Sequence, residues 1–208
     1  EGRGEQILKT DQDNALLLRD GFVCDGLAAI AETFNTALIE FGYPRCPGDI
    51  MLTNPLWRAP LAEFRQHIRE WIYGAETDGP MHLAIFMDAV SVAGDAGLLH
   101  QARQFVHDFL PDNDAFLARF ASAVEQFNEP AGWWARLTAH RGRDEAAFDL
   151  KKLGTFPIVH GVRSLALQAR VTALSTAERL RALVEARQID ADLARDLVEA
   201  LHFLMGLK

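Results

Sequence analysis

Two carboxylates one residue apart open the first buried run of this chain. Thr10-Asp11-Gln12-Asp13 leads into Asn14-Ala15-Leu16-Leu17-Leu18, and Arg19-Asp20-Gly21 closes the run. A short apolar stretch bounded by polar and turn residues reads as a buried strand. In extended backbone, residues i and i+2 point to the same side, so Asp11 and Asp13 present both carboxylates on one face at the start of that strand. Like charges held that close are costly unless a cation lies between them. Mg²⁺ is usually held by one or two carboxylates together with substrate phosphates, an arrangement that serves phosphoryl and nucleotidyl transfer. Asp-x-Asp alone is also common in turns and calcium loops. An EF-hand is disfavoured, because the residues after Asp13 are apolar, with no Gly at the required place and no closing Glu.

Beyond Gly21 the chain alternates and then turns helical. Asp25 stands as an N-cap before apolar residues at helical spacing from Leu27 to Phe41, stopped by Gly42-Tyr43-Pro44. Cys46-Pro47-Gly48-Asp49 reads as a turn and Ile50 to Thr53 as a short strand. Pro60 suits the first turn of a helix through Ile72, and Gly74 to Pro80 reads as a loop. His82 to Val92, apolar and interrupted by Asp88, reads as a further strand ended by Gly94-Asp95. From Leu98 on, helices are expected over Leu98–Leu110, Ala115–Phe127, Val159–Leu174, Ala177–Ala186 and Ala191–Leu204. Asp112, Ser175 and Asp190 are the candidate helix starts. The chain thus divides near residue 111 into an α/β (α+β) core over 1–111 with a short mixed sheet and an all-α helical bundle over 112–208.

Charge excludes some partners. The net charge is -8 and the pI about 5.3, which argues against bulk binding to a nucleic-acid backbone. Ala131 to Arg187 holds ten Lys/Arg against five Asp/Glu, so a locally basic helical stretch lies beside an acidic core. That suits a phosphorylated ligand, and it also suits a solvated helix face. Two cysteines, Cys24 and Cys46, are too few for a disulfide scaffold, carry no zinc spacing and have no nearby base. A reducing cytoplasm is the default for such a chain. No run reaches the length of a membrane span, and the histidines show no ligand spacing. The chain opens at Glu1-Gly2-Arg3-Gly4 without Met, and reads as a domain of a longer protein.

Gly2-Arg3-Gly4-Glu5-Gln6, followed by Thr10-Asp11-Gln12-Asp13-Asn14-Ala15, resembles the signature of the nucleotidyltransferase superfamily with the DNA polymerase β-like fold. The resemblance is nearest to the nucleotidyltransferases found after cyclic-nucleotide-binding and CBS domains. Those are related to glutamine synthetase adenylyltransferases and to the uridylyltransferases of nitrogen signalling. In that family a Gly-Ser pair that contacts nucleotide phosphates precedes Gly-Arg; it would fall just before Glu1, and a chain lacking it is expected to be impaired as an enzyme. The resemblance implies Mg²⁺ or Mn²⁺ on Asp11, Asp13 and a third carboxylate, Asp88, with Asp95 as fallback. Asp88 would also help deprotonate the acceptor. An Asp inside an apolar strand would otherwise be a costly buried charge. The family's Arg-rich stretch after that Asp is replaced here by Ala89-Val90-Ser91-Val92.

Cys46-Pro47-Gly48-Asp49-Ile50-Met51 and Asn54-Pro55-Leu56-Trp57 resemble the family's segment between the carboxylate strands; a structural loop with a packed Trp is the favoured reading of them. Asp149 to Gly154, Pro157-Ile158-Val159 and Arg163 to Leu167 resemble its helical substrate-binding domain. The resemblance implies nucleotide contacts from Gly2, Arg3, Lys151, Lys152 and Arg163; the bland reading of the last three is surface cations. Trp133-Trp134 reads as packing before base stacking. The expected activity is transfer of a nucleoside monophosphate from an NTP to a hydroxyl of a protein or small molecule. The competing expectation is a non-catalytic nucleotide-sensing or docking module within a multidomain regulatory protein.

Overall fold

A computed structural model of the protein describes residues 2–6, 11–75, 77–109, 114–122 and 154–207. Strand β1 (Leu16–Leu18) is followed by helix α1 (Leu27–Glu40), a 3₁₀ turn (Pro55–Trp57) and strand β2 (Arg58–Pro60). The strands pair in parallel, Leu16 opposite Arg58 and Leu18 opposite Pro60. Parallel neighbours need a long crossover, and α1 lies within it. Then come α2 (Leu61–Tyr73), α3 (Gly79–Met87), α4 (Ala96–Phe109), α5 (Asp114–Ser122), α6 (Phe156–Gln168), α7 (Thr176–Glu185) and α8 (Ala191–Gly206). This is the mixed opening followed by helices expected from the sequence, with the sheet among the described residues a parallel pair.

Each helix follows from its pattern. In α2, Leu61, Phe64, Ile68, Trp71 and Ile72 fall on one stripe and are buried, while Glu63, Gln66 and Glu70 face outward. That stripe meets Trp57 and α3. The ring centroids of Trp57 and Trp71 lie 5.3 Å apart, and those of Phe64 and Phe86 5.2 Å apart. Trp57 is thus the packed Trp of a structural loop. Phe116 and Phe120 of α5 and Leu167 of α6 join this same core. A second cluster unites Val162, Leu180, Leu183 and Ala194 of α6, α7 and α8. Two expected caps form: Ser175 Oγ accepts from the Glu178 N–H, and Asp190 Oδ1 from the Asp192 and Leu193 N–H groups.

Five expectations are corrected. His82 to Val92 is no strand; its first half belongs to α3, and Asp88 is the residue that caps that helix. Met81, Leu83, Ala84, Phe86 and Met87 are all buried. Only His82 and Ile85 between them are partly exposed, and a helix so largely enclosed has no polar face, so its sequence has no period to separate it from a buried strand. Pro80, placed at the loop's end by the sequence, sits instead in the helix's first turn. Ile50 to Thr53 forms turns, not a strand. Asp25 does not cap α1: the cap is Gly26 at φ 80°, a left-handed conformation natural to glycine, with no side-chain bond. α6 also ends earlier than expected, at Gln168, where Arg170 turns the chain at φ 56°. Asp112, Trp133 and Trp134 lie outside the described residues, as does the expected end of the fifth helix.

Ile68 is 0% exposed at the centre of the main core. Ile68→Ala should cost about 3 kcal/mol, the usual scale for a buried truncation. Urea denaturation should report it as a lower midpoint with an unchanged slope.

Candidate functional site

Residues 11–14 run extended beside 44–50. Gln12 N–H donates to the Pro44 carbonyl and Asn14 N–H to that of Ile50, each at 3.0 Å. Gln12 is buried, 5% exposed, and its amide donates to the carbonyls of Asn35 and Tyr43. Asn14 donates to Gln12 Oε1 at 3.1 Å and accepts from the Leu52 N–H at 2.9 Å. Gln12 and Asn14 therefore anchor the segment, and Asp11 and Asp13 are both exposed. The Cys46 thiol donates to the Asp13 carboxylate; burial, then that carboxylate, pushes its pKa up to about 12. Cys46 also lines an open groove of about 470 Å³ with Glu32, Arg45, Asp49, Met51 and Thr53. Arg45 there pairs with Glu32 at 3.1 Å.

A second polar cluster centres on Asp88, 6% exposed. Arg3 Nη1 donates to its Oδ2 at 2.5 Å, Arg179 Nη2 to Oδ1 at 2.8 Å and Arg163 Nε to Oδ1 at 3.2 Å, with Arg163 Nη2 also on Oδ2. Burial alone would raise its pKa, but Arg163, then Arg3 and Arg179, hold the carboxyl well below the usual range. Arg163 Nη1 also donates to His160 Nδ1 at 3.1 Å, and His160 Nε2 lies 2.6 Å from the Phe120 carbonyl. That pattern suits the neutral Nε2–H tautomer. Burial, then Arg163, lowers the His160 pKa to about 4. Arg103 of α4 donates to the Met87 and Ala89 carbonyls, so the C-terminal end of α3 is closed by a cation.

Residues 1–78 match the family model described as "Putative nucleotidyltransferase DUF294", and residues 114–208 match that described as "Putative nucleotidyltransferase substrate binding domain". The chain belongs to this nucleotidyltransferase family. No curated protein and no solved structure matches it. Both matches support a nucleotidyltransferase function in general terms. The carboxylates expected from the family resemblance are distributed as follows. Asp11 and Asp13 share an exposed face, whereas Asp88 is enclosed by arginines at the end of α3. Asp95 is exposed, pairs with Arg19 at 2.9 Å and accepts from the Gly97 N–H at 2.9 Å. Gly2 and Arg3 pack on Asp88, and Arg163 is buried against it. Lys151 and Lys152 lie outside the described residues.

Among the described residues no group of three His, Cys, Asp or Glu side chains is placed to hold a metal. The Asp11–Asp13 face still fits Mg²⁺ or Mn²⁺ by donor chemistry: two hard oxygen donors, with water and phosphate oxygens completing the shell. A neutral thiol at Cys46 adds no soft thiolate to it. Sequence reasoning missed Arg179, Arg103, Glu5 and His160. A signal for Arg179 existed, since Thr176, Arg179, Leu180 and Leu183 share the buried side of α7. An arginine on such a stripe needs a buried anion.

His160 sets a pH response. Its folded pKa of about 4 lies below the ordinary 6.5, so the unfolded chain takes the proton first. Stability is full above about pH 6.5, falls as pH drops toward 4, and is lower by roughly 3 kcal/mol at the end of that window. His107, also lowered by burial, adds in the same sense. Melting curves from pH 7 to pH 4.5 should show this decline, and His160→Gln should flatten it.

Proposed function

We propose that the protein transfers a nucleoside monophosphate from an NTP to a hydroxyl of a protein or small molecule, with Asp11 and Asp13 holding Mg²⁺ or Mn²⁺. The observation that carries the reading is the build of the Asp11–Asn14 segment. Gln12 and Asn14 hydrogen-bond to the scaffold, and Asp11 and Asp13, on either side of Gln12, are both solvent-exposed. Bound there, the cation would neutralise phosphate charge and help align the attacking and leaving oxygens. The acceptor hydroxyl oxygen bonds to the α-phosphorus and gives its proton to solvent water, the bond to the bridging oxygen breaks, and pyrophosphate leaves with the electron pair. Asp11 and Asp13 contribute rigid placement, because their neighbours are hydrogen-bonded to α1 and to residues 44–52. The adjoining groove of about 470 Å³ is within the usual size range for small-ligand sites.

A second reading is favoured by Asp88. Its carboxylate is spent on arginines, and Val90 stands where the family resemblance expects Arg. A site with two carboxylates and no such Arg suits a module that senses a nucleotide without transferring it, inside a signalling protein. In both readings nucleotide binding depends on the metal; only the first releases pyrophosphate.

Calorimetric titration of ATP, GTP, CTP and UTP into the full-length protein, with and without Mg²⁺, tests the first step. One nucleotide should bind only with Mg²⁺, and Asp11→Asn/Asp13→Asn should abolish that binding with little change in melting temperature, both side chains being exposed. Binding that survives the double substitution would sink the proposal. Pyrophosphate release then separates transferase from sensor.

A further inference from the structure

Asp88 joins parts of the chain that are far apart in sequence. Arg3 reaches it from the N-terminal segment, Arg163 from α6 and Arg179 from α7. Gly2 lies against its carbonyl so closely that a Cβ would sit 1.9 Å from that oxygen. Glu5 completes the join: Oε2 accepts from Arg3 Nε at 2.8 Å, and Oε1 accepts from the Thr176 N–H at 2.5 Å, at the start of α7. A carboxylate at a helix N-terminus is also favoured by the helix dipole. Both oxygens of Asp88 are thus taken by guanidinium groups, and three guanidinium groups against the carboxylates of Asp88 and Glu5 leave the surroundings net positive. A divalent cation would have to displace those donors and enter against their charge.

We infer that Asp88 is a positioning residue, the anion that clasps Gly2–Glu5, α6 and α7 to the end of α3, and that it is not a ligand of the metal. Only the metal half of this inference rests on the proposed function; the clasp stands on the geometry alone. Three arginines are matched to one acid, so losing the acid leaves buried cations unpaired and should release every element they hold together. The side chains that face Asp88 are Arg3 and Glu5 on the N-terminal segment, Arg163 and His160 on α6, Arg179 on α7 and Arg103 on α4.

Two measurements on the full-length protein test it: exchange of the Thr176 amide proton, followed by NMR, and Mn²⁺ titration followed by electron paramagnetic resonance. Asp88→Asn and Arg179→Met should each speed Thr176 exchange by about tenfold or more, because each opens the join that Glu5 makes with α7. Mn²⁺ affinity should stay within about twofold of wild type in both, against the roughly tenfold or greater loss that removing a ligand gives. Agreement between the two variants matters, since Arg179→Met removes no carboxylate. If Asp88→Asn weakens Mn²⁺ as much as Asp11→Asn does, Asp88 is a ligand and the inference fails. Unchanged Thr176 exchange in both variants also overturns it. Should Asp88→Asn not fold, Arg3→Met, at the edge of the cluster, supplies the exchange readout. If wild type binds no Mn²⁺, the metal reading of Asp11 and Asp13 fails, and the exchange arm alone decides the clasp.

Discussion

One buried carboxylate governs how the two ends of this chain meet. Asp88 is charged because three guanidinium groups outweigh the cost of burying it, and those groups come from the N-terminal segment, α6 and α7. Such a cluster adds less net stability than its number of bonds suggests, since every ion has been taken from water. Its value lies in specificity: Arg163 and Arg179 have no other carboxylate among the ion pairs of the described residues, so α6 and α7 have one favourable seat. His160 extends the same logic inward. By accepting from Arg163 and facing the Phe120 carbonyl, it links the cluster to α5 and stays neutral in doing so.

Arginine recurs as the device that closes helix ends. Arg103 bonds the carbonyls at the end of α3, and Arg119 of α5 bonds those of Trp71, Ile72 and Gly74 at the end of α2. Each satisfies carbonyls that lack an intrahelical partner and places a cation at the negative end of a helix. The local excess of basic residues in the C-terminal half thus has a structural use for Arg163 and Arg179. Charge counting alone could not divide such arginines from ones that meet a ligand.

The amphipathic helices were legible because their burial is one-sided. The 61–72 stripe and the caps at Ser175 and Asp190 could be read directly from residue type and spacing. α3 was not legible: from Met81 to Met87 all but His82 and Ile85 are buried, and a run without a polar face carries no period. The carboxylate face was legible as a pattern, because Asp11 and Asp13 alternate with the buried Gln12. The anchoring role of Gln12 and Asn14 was not, since it depends on carbonyls of residues 35, 43 and 50 that only the fold brings near. Asp88 was singled out as a metal-binding or catalytic carboxylate because an Asp in an apolar run is a costly buried charge, and the structure shows it buried. Its partners were not legible, because Arg3, Arg163 and Arg179 lie some 75 to 91 residues away in the chain.

The arrangement separates two tasks that one family signature brings together. Asp11 and Asp13 sit exposed beside a groove, held by neutral amides; Asp88 sits buried and holds the fold's ends. A double-mutant cycle tests that division most directly, using Asp88→Asn, Arg179→Met and both together, with unfolding by urea at pH 7. The account predicts a coupling of about 2 kcal/mol or more, because Asp88→Asn leaves Arg179 buried without its carboxylate and the double change removes that cation. Additivity within about 0.5 kcal/mol would contradict it.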